Sequence, residues 1–248
     1  MTLCSQQRPR CECAPTKWAA NAAITADFAW TLGRADNQLV LDQALEHLRD
    51  IVSCVNVPVN ADFEGGFADD PARVGANVKL AAATGIAGLS IEDSTRDGAQ
   101  PLYEFDHAVE RIRAARQAID ESGTGVVLTG RSEGFVCGHP DIDDTIRRLC
   151  ACADAGADCL YAPRIDTIEQ ITAIVAAVSP KPVSLLINAP FITVAEAASL
   201  GVRRISVGGT LARTAWAGFL DAAREIAEDG TFNSFDGLST VGGLFPDR

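Results

Sequence analysis

The chain contains 248 residues, a length that suits one large α/β domain or two small ones. Hydrophobic residues make up 47% of the sequence, enough for a sizeable buried core. The formal net charge of −12 argues against a nucleic-acid partner and against docking on an acidic membrane, since both select for basic patches. No apolar run approaches the roughly 20 residues that cross a bilayer, and no apolar stretch typical of a secretory signal is present. We therefore expect an acidic cytoplasmic enzyme without nucleic-acid or membrane partners.

Short apolar runs alternate with amphipathic helical stretches along most of the chain. Seven runs are predicted as strands, because they are apolar almost throughout, as strands buried on both faces of a parallel sheet should be. In chain order they cover residues 22–28, 57–63, 88–93, 126–133, 159–163, 182–187 and 204–209. Helices are predicted at 71–83, 106–122, 141–155 and 167–178. Capping-box spacing at two helix starts pairs Asp166 with Glu169 and Thr193 with Glu196.

The rhythm of the strands indicates a fold built from repeated βα units, with starts roughly every 22 to 38 residues. A (β/α)8 TIM barrel and a doubly wound open sheet both fit this rhythm. No Gly-x-Gly-x-x-Gly fingerprint follows any strand, which favours the barrel. Its first βα unit is short or missing, because only the irregular segment 1–21 precedes the first predicted strand. We predict a catalytic barrel over 22–230 and a C-terminal tail over 231–248.

Eight cysteines occur at positions 4, 11, 13, 54, 137, 150, 152 and 159. Without a secretory signal they are expected to be reduced thiols. Cys150 and Cys152 lie in a predicted helix, where positions two apart face different sides, so we do not expect them to chelate a metal. Cys137 begins a Cys-Gly-His sequence after the fourth strand and is predicted to lie in a loop.

Acidic side chains are concentrated at the predicted carboxyl ends of the strands, where barrel enzymes carry their chemistry. The first four strand ends carry, in chain order, Asp36, Asp62 with Glu64, Glu92 and Arg131. Asp62 and Glu64, two apart in an extended chain, are expected to project to the same side. The sequence therefore predicts a cluster of carboxylates with one arginine at this edge of the sheet.

Two interpretations of this cluster are open. A single strand-end acid more often caps a helix or pairs with a surface lysine or arginine. Several acids at one mouth, however, repel one another unless a cation neutralises them. No His or Cys accompanies these acids, so a hard ion such as Mg²⁺ or Mn²⁺ fits. The arginine would then bind a substrate carboxylate and stabilise a developing oxyanion.

Five blocks of the sequence resemble the isocitrate lyase/phosphoenolpyruvate mutase superfamily, especially its small phosphonomutase-like and carboxyvinyl-carboxyphosphonate phosphorylmutase-like members. The blocks are ADFEGGFADDP, GLSIEDST, VLTGRSEGF, GADCLYAP and VRRISVGG. The resemblance implies a (β/α)8 barrel whose last helix is usually exchanged between subunits of a homodimer or homotetramer. It also implies a lyase or hydrolase that uses Mg²⁺. The substrates would be small 2-oxo or 2-hydroxy acids, cleaved at a C–C or P–C bond through a pyruvate enolate.

The resemblance also assigns expected roles to residues. The metal-binding aspartate of the family falls on Asp62, with Glu64 and Glu92 acting mainly through water. The substrate-binding arginine falls on Arg131, and Asp36 is expected to be an acid/base or supporting group. The expected catalytic residues are thus Asp36, Arg131 and Glu92, and the metal ligands Asp62, Glu64 and Glu92. Substrate-contacting backbone falls on Ala26, Asp27 and Phe28, together with the Arg131 side chain.

The sequence departs from the family pattern in three places. The loop after the Glu-Asp pair, STRDGAQPLYEF, lacks the lysine and cysteine of the family lyases, so isocitrate lyase and methylisocitrate lyase activities are not expected. The family's mutase and phosphonopyruvate hydrolase also use a lysine from this loop, so its absence weighs against those activities too. Asp27 stands where the family usually has glycine, and nothing before Asn21 matches the first strand and helix. A second hypothesis therefore stays open: an impaired or inactive barrel that binds a metabolite, or a truncated product.

Overall fold

The computed structural model describes residues 20–22, 26–35, 37–95 and 97–238 of the chain, with side chains from Phe28 onward. The chain divides into two compact units, with the boundary between Gly208 and Gly209. The strands of the first unit are β1 (Ala20–Ala22), β2 (Val59–Asp62), β3 (Gly88–Glu92), β4 (Val127–Arg131), β5 (Cys159–Tyr161), β6 (Val183–Leu186) and β7 (Arg204–Ser206). Its helices are α1 (Ala26–Thr31), α2 (Leu41–Cys54), α3 (Pro71–Ala82), α4 (Phe105–Ser122), α5 (Ile142–Asp154), α6 (Ile168–Val178) and α7 (Val194–Ser199).

The seven strands form one parallel sheet in which every strand pairs with the next in chain order. Parallel neighbours require a crossover connection, and helices α2 to α7 supply it between successive strands. All five residues of β3 are buried, as expected of a central strand with both faces covered. The predicted alternation of strands and helices in a parallel α/β fold is confirmed.

A hydrogen bond across the sheet shows that it curls. Arg204 on β7 donates from Nη1 to Oγ1 of Thr129 on β4, at 3.2 Å. Three strand spacings of about 4.8 Å separate these strands along the sheet, farther than one arginine side chain spans in a flat sheet. The concave faces of β4 and β7 therefore approach each other. Within the described ranges no pairing joins β7 to β1.

The prediction of a first strand over 22–28 is wrong. The strand covers Ala20–Ala22, and Ala26–Thr31 forms helix α1. Alanine is the strongest helix former, and the buried Ala29 anchors the helix in the core, so the apolar run was misread as extended. The short β1 pairs in parallel with β2, with Ala20 opposite Val59.

The predicted helix start at Pro71 is confirmed, and the starts of α4, α5 and α6 each differ from the prediction by one residue. Thr193 Oγ1 accepts the Glu196 N–H at 3.2 Å, which confirms the predicted capping box at α7. At α6 the box lies one residue later than predicted, since Thr167 Oγ1 accepts the Gln170 N–H. The threonine hydroxyl reaches the third helical N–H, as this motif requires.

The second unit contains helix α8 (Thr210–Asp229) and a short 3₁₀-helix (Asn233–Phe235). Gly230, with φ of +66°, ends α8 in the left-handed conformation that glycine favours. The Glu225 carboxylate accepts hydrogen bonds from Thr231 at 2.6 Å and from the Ser234 N–H at 2.8 Å. The Ser234 hydroxyl also donates to this carboxylate, and it lowers the pKa of Glu225 to about 2 together with the other two bonds, which tie the chain back onto its helix.

None of the helices in the described part of the chain is both long and apolar enough to cross a membrane.

Candidate active site

The strand register brings the predicted site residues together at the carboxyl edge of the sheet. Asp62 at the end of β2 lies opposite Ser90 of β3. Glu92, two residues later on β3, lies opposite Arg131 of β4, which in turn lies opposite Tyr161 of β5. Register partners and residues two apart share a face of a sheet. All five side chains therefore belong to the concave face.

Arg131 is the centre of this cluster. Its Nη1 atom lies 2.9 Å from Asp62 Oδ2 and 3.4 Å from Glu92 Oε2. Its Nε atom donates to Oε1 of Glu133, just beyond the end of β4. Glu133 is a partner that the sequence analysis did not single out. The Arg131 guanidinium thus faces three carboxylates. They raise the pKa of Arg131 well above its usual value, although burial alone would lower it.

Glu92 is an acid that holds its proton unusually tightly. Its pKa is raised to about 8, chiefly by burial and also by the nearby carboxylates of Glu133 and Asp62, against the opposing effects of Arg131 and of the Ser94 hydrogen bond. Ser94 Oγ also donates to Glu92 Oε1 at 2.5 Å. Without a further cation, Glu92 therefore carries a proton through much of the neutral range.

Asp93, the second acid of the Glu-Asp pair, has different partners. Its carboxylate accepts the Glu133 N–H at 2.7 Å and lies 3.3 Å from both Ser132 Oγ and Arg148 Nη1. Burial raises its pKa, although the Glu133 N–H and Arg148 act in the opposite direction. Asp93 and Arg148 thus form a buried ion pair that joins the end of β3 to the end of β4 and to α5.

Glu64 does not continue the extended chain of β2. The expectation that Asp62 and Glu64 project to one side as strand neighbours is wrong, since Glu64 has φ of +48°. The chain turns here because the Gly66 N–H bonds back to the Phe63 carbonyl at 2.8 Å. Glu64 is nonetheless fully buried, and its N–H donates to Asp62 Oδ1 at 3.4 Å.

The cluster offers carboxylate oxygens, which are hard ligands of the kind that divalent metal ions such as Mg²⁺ require. Across the described residues, no three His, Cys, Asp or Glu side chains are grouped as ligands of a single ion. Asp62 Oδ2 and Glu92 Oε2, however, both lie within 3.4 Å of the same Arg131 nitrogen. Carboxylate oxygens are the ligands that Mg²⁺ prefers, and Mg²⁺ usually keeps several of its waters. The carboxylate oxygens of Asp62 and Glu92 are therefore of a type that fits Mg²⁺.

The loop between β3 and α4, residues 93–104, folds back on itself. Ser94 forms an isolated bridge with Leu102, and the Thr95 N–H bonds to the Pro101 carbonyl at 3.0 Å. Asp97 caps the tip by accepting the Ala99 N–H at 2.9 Å. In this chain the loop contains neither lysine nor cysteine, so it contributes no such group to the cluster.

Several predicted site residues lie apart from the cluster or outside the described residues. Asp36 is outside them, as are the side chains of Ala26 and Asp27. Phe28 belongs to helix α1 and not to a strand end, and its ring stacks on His47 at 3.8 Å. Cys137 lies in the loop after β4, where burial and nearby carboxylates raise its pKa to about 11.

Comparison with known proteins identifies the family to which this chain belongs. Residues 15–227 match the family described as phosphoenolpyruvate phosphomutase, and the chain belongs to that family. A crystal structure of a candidate lyase/mutase from Burkholderia cenocepacia J2315 is 42% identical and superposes with a TM-score of 0.87, covering 90% of this chain and 80% of that one. The expected superfamily membership is confirmed.

Two curated relatives have named activities. The phosphonopyruvate hydrolase of Variovorax sp. (strain Pal2) is 29% identical over 231 residues, covering 88% of this chain and 77% of the relative. The oxaloacetate decarboxylase of Rhodopseudomonas palustris (strain BisB5) is 31% identical over 153 residues, covering 59% of this chain and 51% of the relative. The chain thus spans about half the length of several curated relatives that it matches.

Proposed function

We propose that this chain is a divalent-metal-dependent lyase or hydrolase that cleaves a C–C or C–P bond in a small 2-oxo or 2-hydroxy acid. The observation that carries the proposal is the contact of Arg131 with the carboxylates of Asp62, Glu92 and Glu133. The named activities of the oxaloacetate decarboxylase and phosphonopyruvate hydrolase relatives support a substrate that yields pyruvate.

Charge balance supports the metal. Once Glu92 loses its proton, the three carboxylates around one arginine leave two negative charges uncompensated in a largely buried cluster, and a divalent cation would balance them. Asp62, whose side chain is 25% exposed, would be the direct ligand, with Glu64 and Glu92 acting through water. When bound, Mg²⁺ supplies a Lewis acid for a substrate carbonyl and for an enolate oxygen.

Arg131 would bind the substrate. Its contacts engage Nε and Nη1, while Nη2 makes no hydrogen bond to the described residues. That N–H₂ group is available for a substrate carboxylate, and the guanidinium would stabilise negative charge that develops as the bond breaks. In the proposal Asp36 moves a proton, Glu92 is a second acid/base, and backbone at Ala26–Phe28 contacts the substrate.

The remaining expectations belong to the same proposal. The curled sheet would close into a (β/α)8 barrel, and the C-terminal helix would be exchanged within a homodimer or homotetramer. The protein would act in the cytoplasm. The competing function is an inactive barrel that binds a metabolite, and the loop without lysine or cysteine favours it.

Release of pyruvate or glyoxylate, coupled to lactate dehydrogenase, tests the proposal. The panel holds oxaloacetate, phosphonopyruvate, methylisocitrate and alkylated malates, each with Mg²⁺ and with EDTA. Turnover that requires both Mg²⁺ and Asp62, judged against Asp62→Ala, would support it, and this variant also controls for spontaneous decarboxylation. If the folded protein turns over none of the panel substrates, the inactive barrel is favoured. A large gain in turnover after Asp27→Gly would identify an impaired enzyme.

A further inference from the structure

Arg111 of helix α4 is a buried arginine beneath the acid cluster. It is 1% exposed, and its Nη1 donates to the Glu92 carbonyl at 2.9 Å. Its Nη2 donates to the carbonyl of Ala68 at 3.0 Å and to that of Gly65. One guanidinium therefore ties the end of β3 to the loop between β2 and α3, residues 63–70, which carries Glu64.

Burial of the Arg111 guanidinium reduces the stability of the fold. No carboxylate forms a direct ion pair with Arg111 among the described residues, so carbonyl oxygens are its hydrogen-bond acceptors. The Tyr103 ring lies 4.0 Å from the guanidinium carbon, and the Tyr103 hydroxyl donates to Asp69. Burial lowers the pKa of Arg111. An apolar residue would fill such a position at lower cost, as Ile112 and Ala115 do on the same helix.

Gly65 shows how closely the guanidinium fits the loop. A Cβ atom at this position would lie 2.9 Å from Arg111 Nη2, closer than real Cβ contacts allow. Gly65 directly follows Glu64, and the Glu64 carbonyl accepts the Glu92 N–H at 3.0 Å. Arg111 thus bonds to the main-chain carbonyl of Glu92 and to that of Gly65, the residue after Glu64.

We infer that Arg111 is a positioning residue that holds Glu64 and Glu92 at the spacing with which they share a hydrated divalent cation with Asp62. It acts through main-chain carbonyls and touches neither cation nor substrate. The inference rests on the proposed function, because it assumes that the acid cluster binds a divalent ion.

Direct binding of Mn²⁺, followed by electron paramagnetic resonance, tests the inference without a substrate. The proteins are the wild type, Arg111→Lys, Arg111→Met and Asp62→Ala. Arg113→Met is the matched control, since Arg113 is 56% exposed on the same helix and pairs with Glu110. Lysine keeps the charge but lacks the planar fork that serves three carbonyls. Both Arg111 variants should bind Mn²⁺ about 10- to 100-fold more weakly, as loss of a supporting partner usually does.

A second pair of variants leaves residue 111 as arginine. Gly65→Ala should displace the guanidinium and weaken Mn²⁺ binding about tenfold. Gly98→Ala is its control, because a Cβ at Gly98 meets nothing within 4 Å. Circular dichroism and thermal melting establish which variants are folded. If the Arg111 variants do not fold, the folded Gly65→Ala protein decides the question.

The outcomes separate the inference from the proposed function. Weaker binding in the folded Arg111 or Gly65 variants, with unchanged controls, supports the inference. Wild-type affinity in those variants, with loss in Asp62→Ala, overturns it and leaves the proposed function standing. If the wild type does not bind Mn²⁺, both the inference about Arg111 and the proposed function are overturned.

Discussion

Asp93 accepts the backbone N–H of Glu133 at 2.7 Å, so a carboxylate on the end of β3 holds the chain at the end of β4. Asp93 directly follows Glu92, and successive residues of a strand face opposite sides. Glu92 therefore faces Arg131 on the concave side, while Asp93 faces Arg148 of α5. The two neighbouring acids have separate roles, one in the cluster and one in its support.

Asp93→Asn should destabilise the protein by about 1.5–3 kcal/mol, because it weakens hydrogen bonds to a buried charged group. Urea unfolding measures this change. Asp154→Asn, at an exposed position of α5, is the control and should change stability by less than about 0.5 kcal/mol. Equal unfolding midpoints for wild type and Asp93→Asn would contradict the supporting role.

Arg131→Lys should lower turnover of whichever panel substrate is active by about 10²–10³-fold, the usual cost of losing a donor at a developing oxyanion. A lysine ammonium cannot reproduce the planar fork that meets Asp62 and Glu133 together. Steady-state kinetics provide the measurement. Arg147→Lys is the matched control, since Arg147 is 59% exposed and pairs with Asp144. Full activity in Arg131→Lys would rule out the assigned role.

Glu92→Gln should change how stability depends on pH when EDTA is present. In the folded protein the pKa of Glu92 is about 8, above its ordinary value of 4.5. The folded state therefore binds the proton more tightly, and stability from this group is lost as pH rises from about 4.5 to about 8. Glutamine does not titrate, so the Glu92→Gln variant does not lose this stability as the pH rises.

Urea unfolding at intervals between pH 4.5 and 9 checks the prediction. The stability of Glu92→Gln relative to wild type should rise across that window and then level off. Glu169→Gln, at an exposed position in α6, should track the wild type at every pH. A constant difference between Glu92→Gln and wild type would show that Glu92 has no raised pKa.

Cys137 should be a poor nucleophile at neutral pH, because burial and nearby carboxylates raise its pKa to about 11. Iodoacetamide labelling, mapped by mass spectrometry, should modify the exposed Cys54 before Cys137 at pH 8. Labelling of Cys137 should accelerate as pH approaches 11. Cys137→Ala should keep wild-type activity on any active substrate. Rapid labelling of Cys137 at pH 7 would contradict this assignment.

Much of the fold followed from local pattern. Apolar runs bounded by helical periodicity predicted seven parallel strands, and six of the seven overlap their predicted ranges closely. The exception is 22–28, where helix propensity of an alanine-rich segment prevailed over the apolar run. The capping box at Thr193 was readable from the sequence, whereas Thr167 and Gln170 differ from the predicted pair by one residue.

Asp62, Glu92 and Arg131 could be assigned from the sequence to the carboxyl ends of consecutive strands, which lie at one edge of a parallel sheet. Their contacts with one another depend on how the strands are packed. Asp62 meets Arg131 across 69 positions of the chain because strand register and sheet curl set the distance between their side chains, whereas Glu133 follows Arg131 by two residues. Arg111 appears in the sequence only as a charge on the apolar face of a helix. Its three carbonyl partners belong to residues 19 to 46 positions away, and only packing of α4 against the sheet brings them within hydrogen-bond distance.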